Sequence, residues 1–345
     1  MKIFSWNVRG LRSRRKRDVV KDILKTQQPD VVMFQETKCE ECDRVFIRSV
    51  WGTRFRRWAV LPSTGRSGGI LIMWDDRVVS ECEVVVGVFS LSIKFRNRDN
   101  KEWWLTGVYG PNRPWSRQDW WDELGGLFGL CTPNWCVGWD FNVVRLASEK
   151  LNGVSTNRSM RDFDSFIREC ELIDPPLSNA RFTWSNLQEN RVCRRLDRFL
   201  HTLGWEELFL NIRKEVRPRV VSDHFPVILE SCPFKWGPSP FRFENMWLEN
   251  RSFKEFFRDW WENGRVHGWE GFKFIQKLRG VKDNLKVWKR EGFGDLGAVK
   301  MGLVRDIEEL DVKEAGEGLS RALRERRSML RMKLEEIVFE VKELS

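Results

Sequence analysis

VVMFQE, residues 31–36, is an unbroken apolar run that closes on an amide and a carboxylate. Such a run reads as a strand buried on both faces of a sheet. Six further segments repeat the form: FSWN (4–7), LTGVYGP (105–111), WCVGWDFN (135–142), FTWSN (182–186), RRLDRF (194–199) and VVSDHFP (220–226). In α/β proteins the C-terminal ends of buried strands converge on one sheet edge, where ligands bind. The polar residues placed there are Asn7, Glu36, Tyr109, Asp140, Asn142, Asp197, Asp223 and His224. One assembled site is expected, with a set of groups suited to hydrolysing a phosphate ester around a hard cation.

Each residue type has a use in that chemistry. Mg²⁺ takes oxygen ligands and commonly only one or two carboxylates. Glu36 is the first candidate ligand, because a carboxylate at the end of so apolar a strand is costly unless paired or metal-bound. Asn7 offers an amide oxygen from a neighbouring strand. Asp223 and His224 stand side by side where a loop enters a new strand, so both can face the site. Asp197 could orient the imidazole and keep it protonated, ready to meet the charge that builds on a scissile phosphate. Asp140 and Asn142, two apart on an extended backbone, face the same side; one could act as base toward water while the other donates to phosphate. Tyr109 is the one tyrosine beside 24 Phe and 19 Trp, and its place at a strand end before Gly-Pro suggests a phosphate donor. Thr183 and Ser222 could bind non-bridging oxygens or serve the fold.

Extended runs and helical patterns alternate from 1 to about 232. KIFSW, GGILIMWD, EVVVGVFSLSIKF, EWWLTGVYG and FPVILES complete the strand list, rich in β-branched and aromatic residues. Residues 13–27 and 160–171 carry apolar faces at helical spacing. Consecutive strands over 70–110, joined by turns such as NRDN, require a mixed sheet, so two packed mixed sheets with outer helices are predicted. CPFKWGPSPF (232–241) marks a boundary. The first domain therefore spans 1–232 and a helical extension 233–345, with apolar rows at 253–261, 275–288 and 330–344 that read as a hairpin or short coiled coil and could mediate self-association. The glycines at 292, 294, 297, 302, 316 and 318 are expected to punctuate these helices.

The net charge of +10 favours a polyanionic partner. Its distribution is uneven: residues 1–240 hold 38 Lys/Arg against 30 Asp/Glu, whereas the rest hold 22 against 20. The excess thus accompanies the expected site, with a dense run at Arg12, Arg14, Arg15, Lys16 and Arg17 and a second group at Arg54, Arg56 and Arg57. No apolar run reaches the roughly 18 residues of a membrane span, and the N-terminus lacks a signal peptide's apolar core. A nuclear or cytoplasmic protein with reduced thiols is expected from its 8 cysteines. The Cys39–Cys42 pair has no second pair at zinc-finger spacing.

Taken in order, WNVRGL, FQETK, SGGILIMW, VYGP, DFNVV, FTWSN, RRLDRFL and SDHFPVIL resemble the endonuclease/exonuclease/phosphatase superfamily with the DNase I-like fold. Closest in texture is the apurinic-type endonuclease domain of plant LINE (non-LTR) retrotransposons. The resemblance covers about 1–232 and implies a four-layer α/β sandwich, DNA as partner, and phosphodiester cleavage dependent on Mg²⁺, with Mn²⁺ as a substitute. It further implies Glu36, Asn7 and Asp223 around the metal, Asp140 as base, Tyr109, Asn142 and His224 on the phosphate, and Asp197 behind His224. Two departures stand out. The family usually has glycine before the Asp-Phe-Asn motif, but this chain has Trp139, which could displace Asp140 and impair catalysis. No polymerase signature follows residue 232. The rival readings are a catalytically impaired nucleic-acid-binding protein of the same fold and a phosphatase of small or lipid substrates.

Overall fold

The computed structural model describes residues 1–52, 55–64, 67–111, 116–231, 251–262, 267–288 and 294–343. The expected boundary at 232–241 and Arg54 fall outside them. Two compact units result: Met1–Lys235 with Ile307–Arg327, and Trp236–Asp306 with Ser328–Ser345.

Two mixed sheets build the first unit. One contains β1 (Lys2–Asn7), β2 (Val31–Gln35), β3 (Arg56–Thr64), β4 (Ser67–Asp75), β12 (Arg213–Val216) and β13 (Val227–Glu230), ordered β12-β13-β1-β2-β4-β3. The other contains β5 (Val79–Val86), β6 (Ser90–Asn97), β7 (Glu102–Tyr109), β8 (Trp135–Asp140) and β11 (Asp197–His201), ordered β11-β8-β7-β6-β5. A two-stranded ribbon joins β9 (Trp184–Ser185) to β10 (Cys193–Arg194), and a short helix, α5 (Leu203–Leu208), follows β11. The predicted strand run over 70–110 is present, with β5, β6 and β7 as successive antiparallel neighbours.

Packing follows from side-chain alternation. Ile3, Val31, Met33, Ile70, Ile72 and Trp74 of the first sheet meet Leu91, Ile93, Phe95, Trp103 and Leu105 of the second in the central core. Each such buried side chain contributes about 1.5–3 kcal/mol relative to exposure. Behind the second sheet, Trp104, Val108, Trp135 and Val137 pack with Trp120, Leu124, Leu127 and Cys131 of α3 (Arg117–Cys131) and with Phe163, Phe166 and Ile167 of α4 (Arg158–Glu169). Outside the first sheet, Phe4, Trp6 and Phe34 are buried, as are Val19, Val20 and Leu24 of α1 (Arg14–Gln27) and Ile47 and Val50 of α2 (Arg44–Val50). Ser13, Asp43 and Asn157 cap α1, α2 and α4 by accepting a hydrogen bond from the third residue along, which satisfies an end amide of each helix. The DNase I-like four-layer sandwich is the observed architecture.

Two parallel pairs position the site. β1 runs beside β2, and β7 beside β8, so Asn7, Gln35, Tyr109 and Asp140 emerge at one edge of the sandwich. There the buried Gln35 amide donates to the Val108 carbonyl and links the sheets.

In the second unit, α6 (Arg251–Glu262) and α7 (Glu270–Trp288) form a hairpin around Phe253, Phe257, Trp260, Leu285 and Trp288. Further along the chain lie α8 (Gly294–Gly316) and α9 (Arg321–Glu343). Gly297 and Gly302 lie inside α8 and do not interrupt it, whereas Gly318, at φ +92°, sits in the turn that follows. No helix among the described residues is long and apolar enough to cross a membrane.

Candidate active site

Asn7, at the end of β1, is wholly buried; its amide donates to Glu36 Oε1 at 3.2 Å and to Asp140 Oδ2 at 3.0 Å. One side chain therefore joins carboxylates from both sheets. Glu36 follows β2 in a left-handed backbone conformation, φ +47°, which ends the strand and turns the side chain to the edge. Its Oε1 also accepts the Tyr109 hydroxyl at 3.1 Å. Burial and the neighbouring Glu36 and Asp140 carboxylates push the phenol well above its usual range, so it remains a donor.

Asp140 ends β8 and accepts the Asn142 backbone amide at 2.9 Å. Burial disfavours its charge; the His224 cation opposes this, the Asp197 carboxylate adds to it, and the group is raised to about 7. Asn142 itself turns at φ +51°, and its side-chain amide donates to the Gly110 carbonyl at 2.7 Å.

His224 Nδ1 lies 3.0 Å from Asp197 Oδ2, while Nε2 lies 3.7 Å from Asp140 Oδ2. Burial alone would lower the imidazole, but the two carboxylates outweigh it and raise it to about 9. The two carboxylates thus favour the cationic ring, whose Nε2 faces Asp140. The Trp6 indole donates to the His224 carbonyl at 2.9 Å. Asp223 points to a second set of partners, Arg9 at 2.9 Å and the Trp184 indole at 2.8 Å, both on Oδ2.

The expected residues are thus gathered at one edge, in different ways. Asn7, Glu36, Tyr109, Asp140, Asp197 and His224 form a contiguous polar cluster, with Asp223 beside it and Asn142 attached through its backbone. Thr183 is fully buried, and its hydroxyl accepts the Leu196 and Asp197 amides, both at 2.9 Å. The Ser222 hydroxyl donates to the Asn7 carbonyl at 2.7 Å and accepts the His224 amide at 3.2 Å. Both hydroxyls are engaged by backbone. Arg9 and Trp184 escaped the sequence reading, although each lies in a quoted motif, because neither ends a strand run. Arg56 requires a correction: its guanidinium pairs with Asp75 and covers the Trp51 ring at 3.6 Å, so it is a fold element and not a free surface cation.

Glu36 and Asp223 carry the carboxylate oxygens that a hard divalent cation prefers, while Asn7 turns its amide nitrogen to Glu36 and Asp140 and its Oδ1, the atom such an ion would take, accepts the Arg9 backbone amide at 3.2 Å. Asp140, Asp197 and His224 form a second, wholly buried group whose ligand atoms lie within 4.8 Å of one another. There, hydrogen bonding between Asp197 and the ring already occupies Nδ1.

Residues 4–224 match the model of the endonuclease/exonuclease/phosphatase family. The chain belongs to that family. Similar solved structures include the 3′-5′ exonuclease NExo of Neisseria meningitidis, at TM-score 0.55 and 17% identity over 67% of this chain and 99% of that one. An AP endonuclease of Archaeoglobus fulgidus gives 0.52 and 19% over 67% and 99%. The endonuclease domain of TRAS1, a telomere-specific non-LTR retrotransposon, gives 0.52 and 14% over 68% and 99%. At these identities the likeness is one of fold. No curated protein matches the chain.

Against the usual family motif, Trp139 can now be placed. Its backbone lies at φ +122°, a region natural to glycine and strained for an indole-bearing residue. The ring turns into the central core, not into the site. Gly107 on β7 makes the room: a Cβ there would sit 2.0 Å from the indole. Buried in this place, the Trp139 N–H has no hydrogen-bond partner. Asp140 still reaches Asn7 and faces His224.

Proposed function

We propose that this protein is a Mg²⁺-dependent DNA-nicking endonuclease of LINE-retrotransposon type, with Mn²⁺ able to replace Mg²⁺. The observation that carries the reading is the single hydrogen-bonded cluster in which Asn7 joins Glu36 to Asp140 and Asp197 holds His224. The basic excess of the strand-rich half and the fold shared with the TRAS1 endonuclease domain and AP endonucleases support DNA as the substrate.

In this reading Glu36, Asn7 and Asp223 hold the cation. When bound, it neutralises phosphate charge and polarises the phosphorus–oxygen bonds. Asp140 as carboxylate takes a proton from water as its oxygen bonds to phosphorus. The bond to the 3′ oxygen breaks with its electron pair on that oxygen, which takes a proton from solvent to become a hydroxyl, leaving one strand cut. His224, charged and held at Nδ1 by Asp197, donates from Nε2 to a phosphate oxygen, and the Tyr109 hydroxyl donates to another. Asn142 adds a donor beside Asp140, reached from the same turn. Thr183 and Ser222 act through backbone, the first fixing Asp197 and the second joining Asn7 to His224. Exposed Arg12, just before α1, and Arg14 and Arg15 in its first turn supply backbone affinity that weakens with salt.

Supercoiled plasmid should be converted to the nicked form with Mg²⁺ and left intact with chelator or by Asp140→Asn. A positioned base is typically worth about 10²–10⁴ in rate. A folded parent protein that leaves plasmid intact but retains Mg²⁺-independent DNA binding selects the impaired-nuclease reading.

A further inference from the structure

Arg219 precedes the Ser222–Asp223–His224 stretch and is wholly buried. Its Nε donates to Asp311 Oδ1 at 3.0 Å and its Nη2 to Glu314, both near the end of α8. Its Nη1 donates to the backbone carbonyl of Asp223 at 3.4 Å, and its guanidinium covers the Phe225 ring at 4.4 Å. Arg327 of α9 closes the group, donating to Asp311 at 3.2 Å and to Glu314 at 3.0 Å. Two buried cations thus balance two buried carboxylates, each held by more than one hydrogen bond, the condition under which burying charge is tolerable. Arg191 anchors the same turn by donating to the Glu314 and Gly316 carbonyls.

This group touches the chain on both sides of His224, at the Asp223 carbonyl and the Phe225 ring. Asp223 is further fixed through its side chain by Arg9 and Trp184. A flexible ammonium in place of the planar fork could not hold Asp311, Glu314 and a carbonyl together.

We propose that Arg219, held by Asp311 and Glu314, is a positioning residue that sets Asp223 and His224 for catalysis. Asp311 and Glu314 of α8 thereby become a working part of the nuclease. The inference rests on the hydrolytic function proposed above, but its geometry can be read without turnover.

The test compares Arg219→Lys with Arg327→Met in the full chain. The first keeps the charge but loses the fork; the second removes the other cation, which makes no contact with 219–225 among the hydrogen bonds and ion pairs described. Three readouts apply: amide hydrogen exchange over 222–226, the indole N–H resonance of Trp184 (assigned with Trp184→Phe), and kcat against KM for nicking. Arg219→Lys should speed the exchange, move the Trp184 resonance and lower kcat about 10–100-fold with KM little changed. Arg327→Met should lower thermal stability and leave all three near the parent values. The proposal fails if Arg219→Lys leaves exchange and resonance unmoved, or if both variants move them equally, since the group would then serve the fold alone. Should Arg219→Lys not fold, Asp311→Asn is judged by the same criterion. A parent that nicks nothing overturns the proposed function, while exchange and resonance still decide the role of Arg219.

Discussion

In the proposed mechanism Asp140 and His224, 3.7 Å apart in one buried cluster, must carry opposite charges to act together. Asp140 is raised to about 7 and is needed as carboxylate, so activity should fall as pH drops through that value. His224 is raised to about 9 and is needed as cation, so activity should fall again as pH rises past it. A bell between these limits is expected in kcat/KM for nicking. Asp197→Asn removes the partner that favours the cation and should move the alkaline limb down. At Trp139 two effects oppose. Replacement by glycine relieves a backbone strain of about 1–3 kcal/mol but empties a core site whose loss costs about 3–5 kcal/mol. Trp139→Gly should therefore be less stable in urea unfolding, with no gain in nicking, because Asp140 already reaches its partners. Most of the strand-edge residues were readable because they break an apolar run, whereas Asp197 opens β11 between Leu196 and Arg198. Arg219 was not readable, since nothing in a run of sequence tells a buried paired cation from a solvated one, and Arg9 and Trp184 were not, since neither ends a strand run.

Among elements, long apolar strands such as 31–35 and 70–75 announced themselves, whereas β9, β10 and β12, at two to four residues, are too short to show a period. α3 was hidden for another reason. Its buried positions, Trp120, Leu124, Leu127 and Cys131, keep helical spacing, but Gly125, Gly126 and Gly129 lie among them and depress helix propensity. Those three glycines are exposed, and a Cβ on any of them would meet nothing within 4 Å. Changing each to alanine should therefore stabilise the protein by about 0.5–1 kcal/mol per site, measured as a rise in the denaturant midpoint. A stabilisation confined to the isolated helix peptide would show that tertiary packing already compensates for them.

At the scale of the molecule, the DNase I-like sandwich was legible from ordered motifs, but the membership of 307–327 in its compact unit was not, because ion pairs more than 90 residues apart leave no local pattern. A protein ending at residue 235 would leave Arg219 without Asp311 and Glu314. Removing one side of a buried ionic group typically costs about 3–5 kcal/mol, and urea unfolding of the 1–235 fragment should show a loss of that order against the full chain. The same arrangement bears on synthesis. At roughly 5–20 residues per second, a ribosome needs on the order of 5–20 s to pass from the last strand of the sandwich to Arg327. For that interval the nascent chain waits with its guanidinium unanswered, a window in which a chaperone or a protease would meet it first.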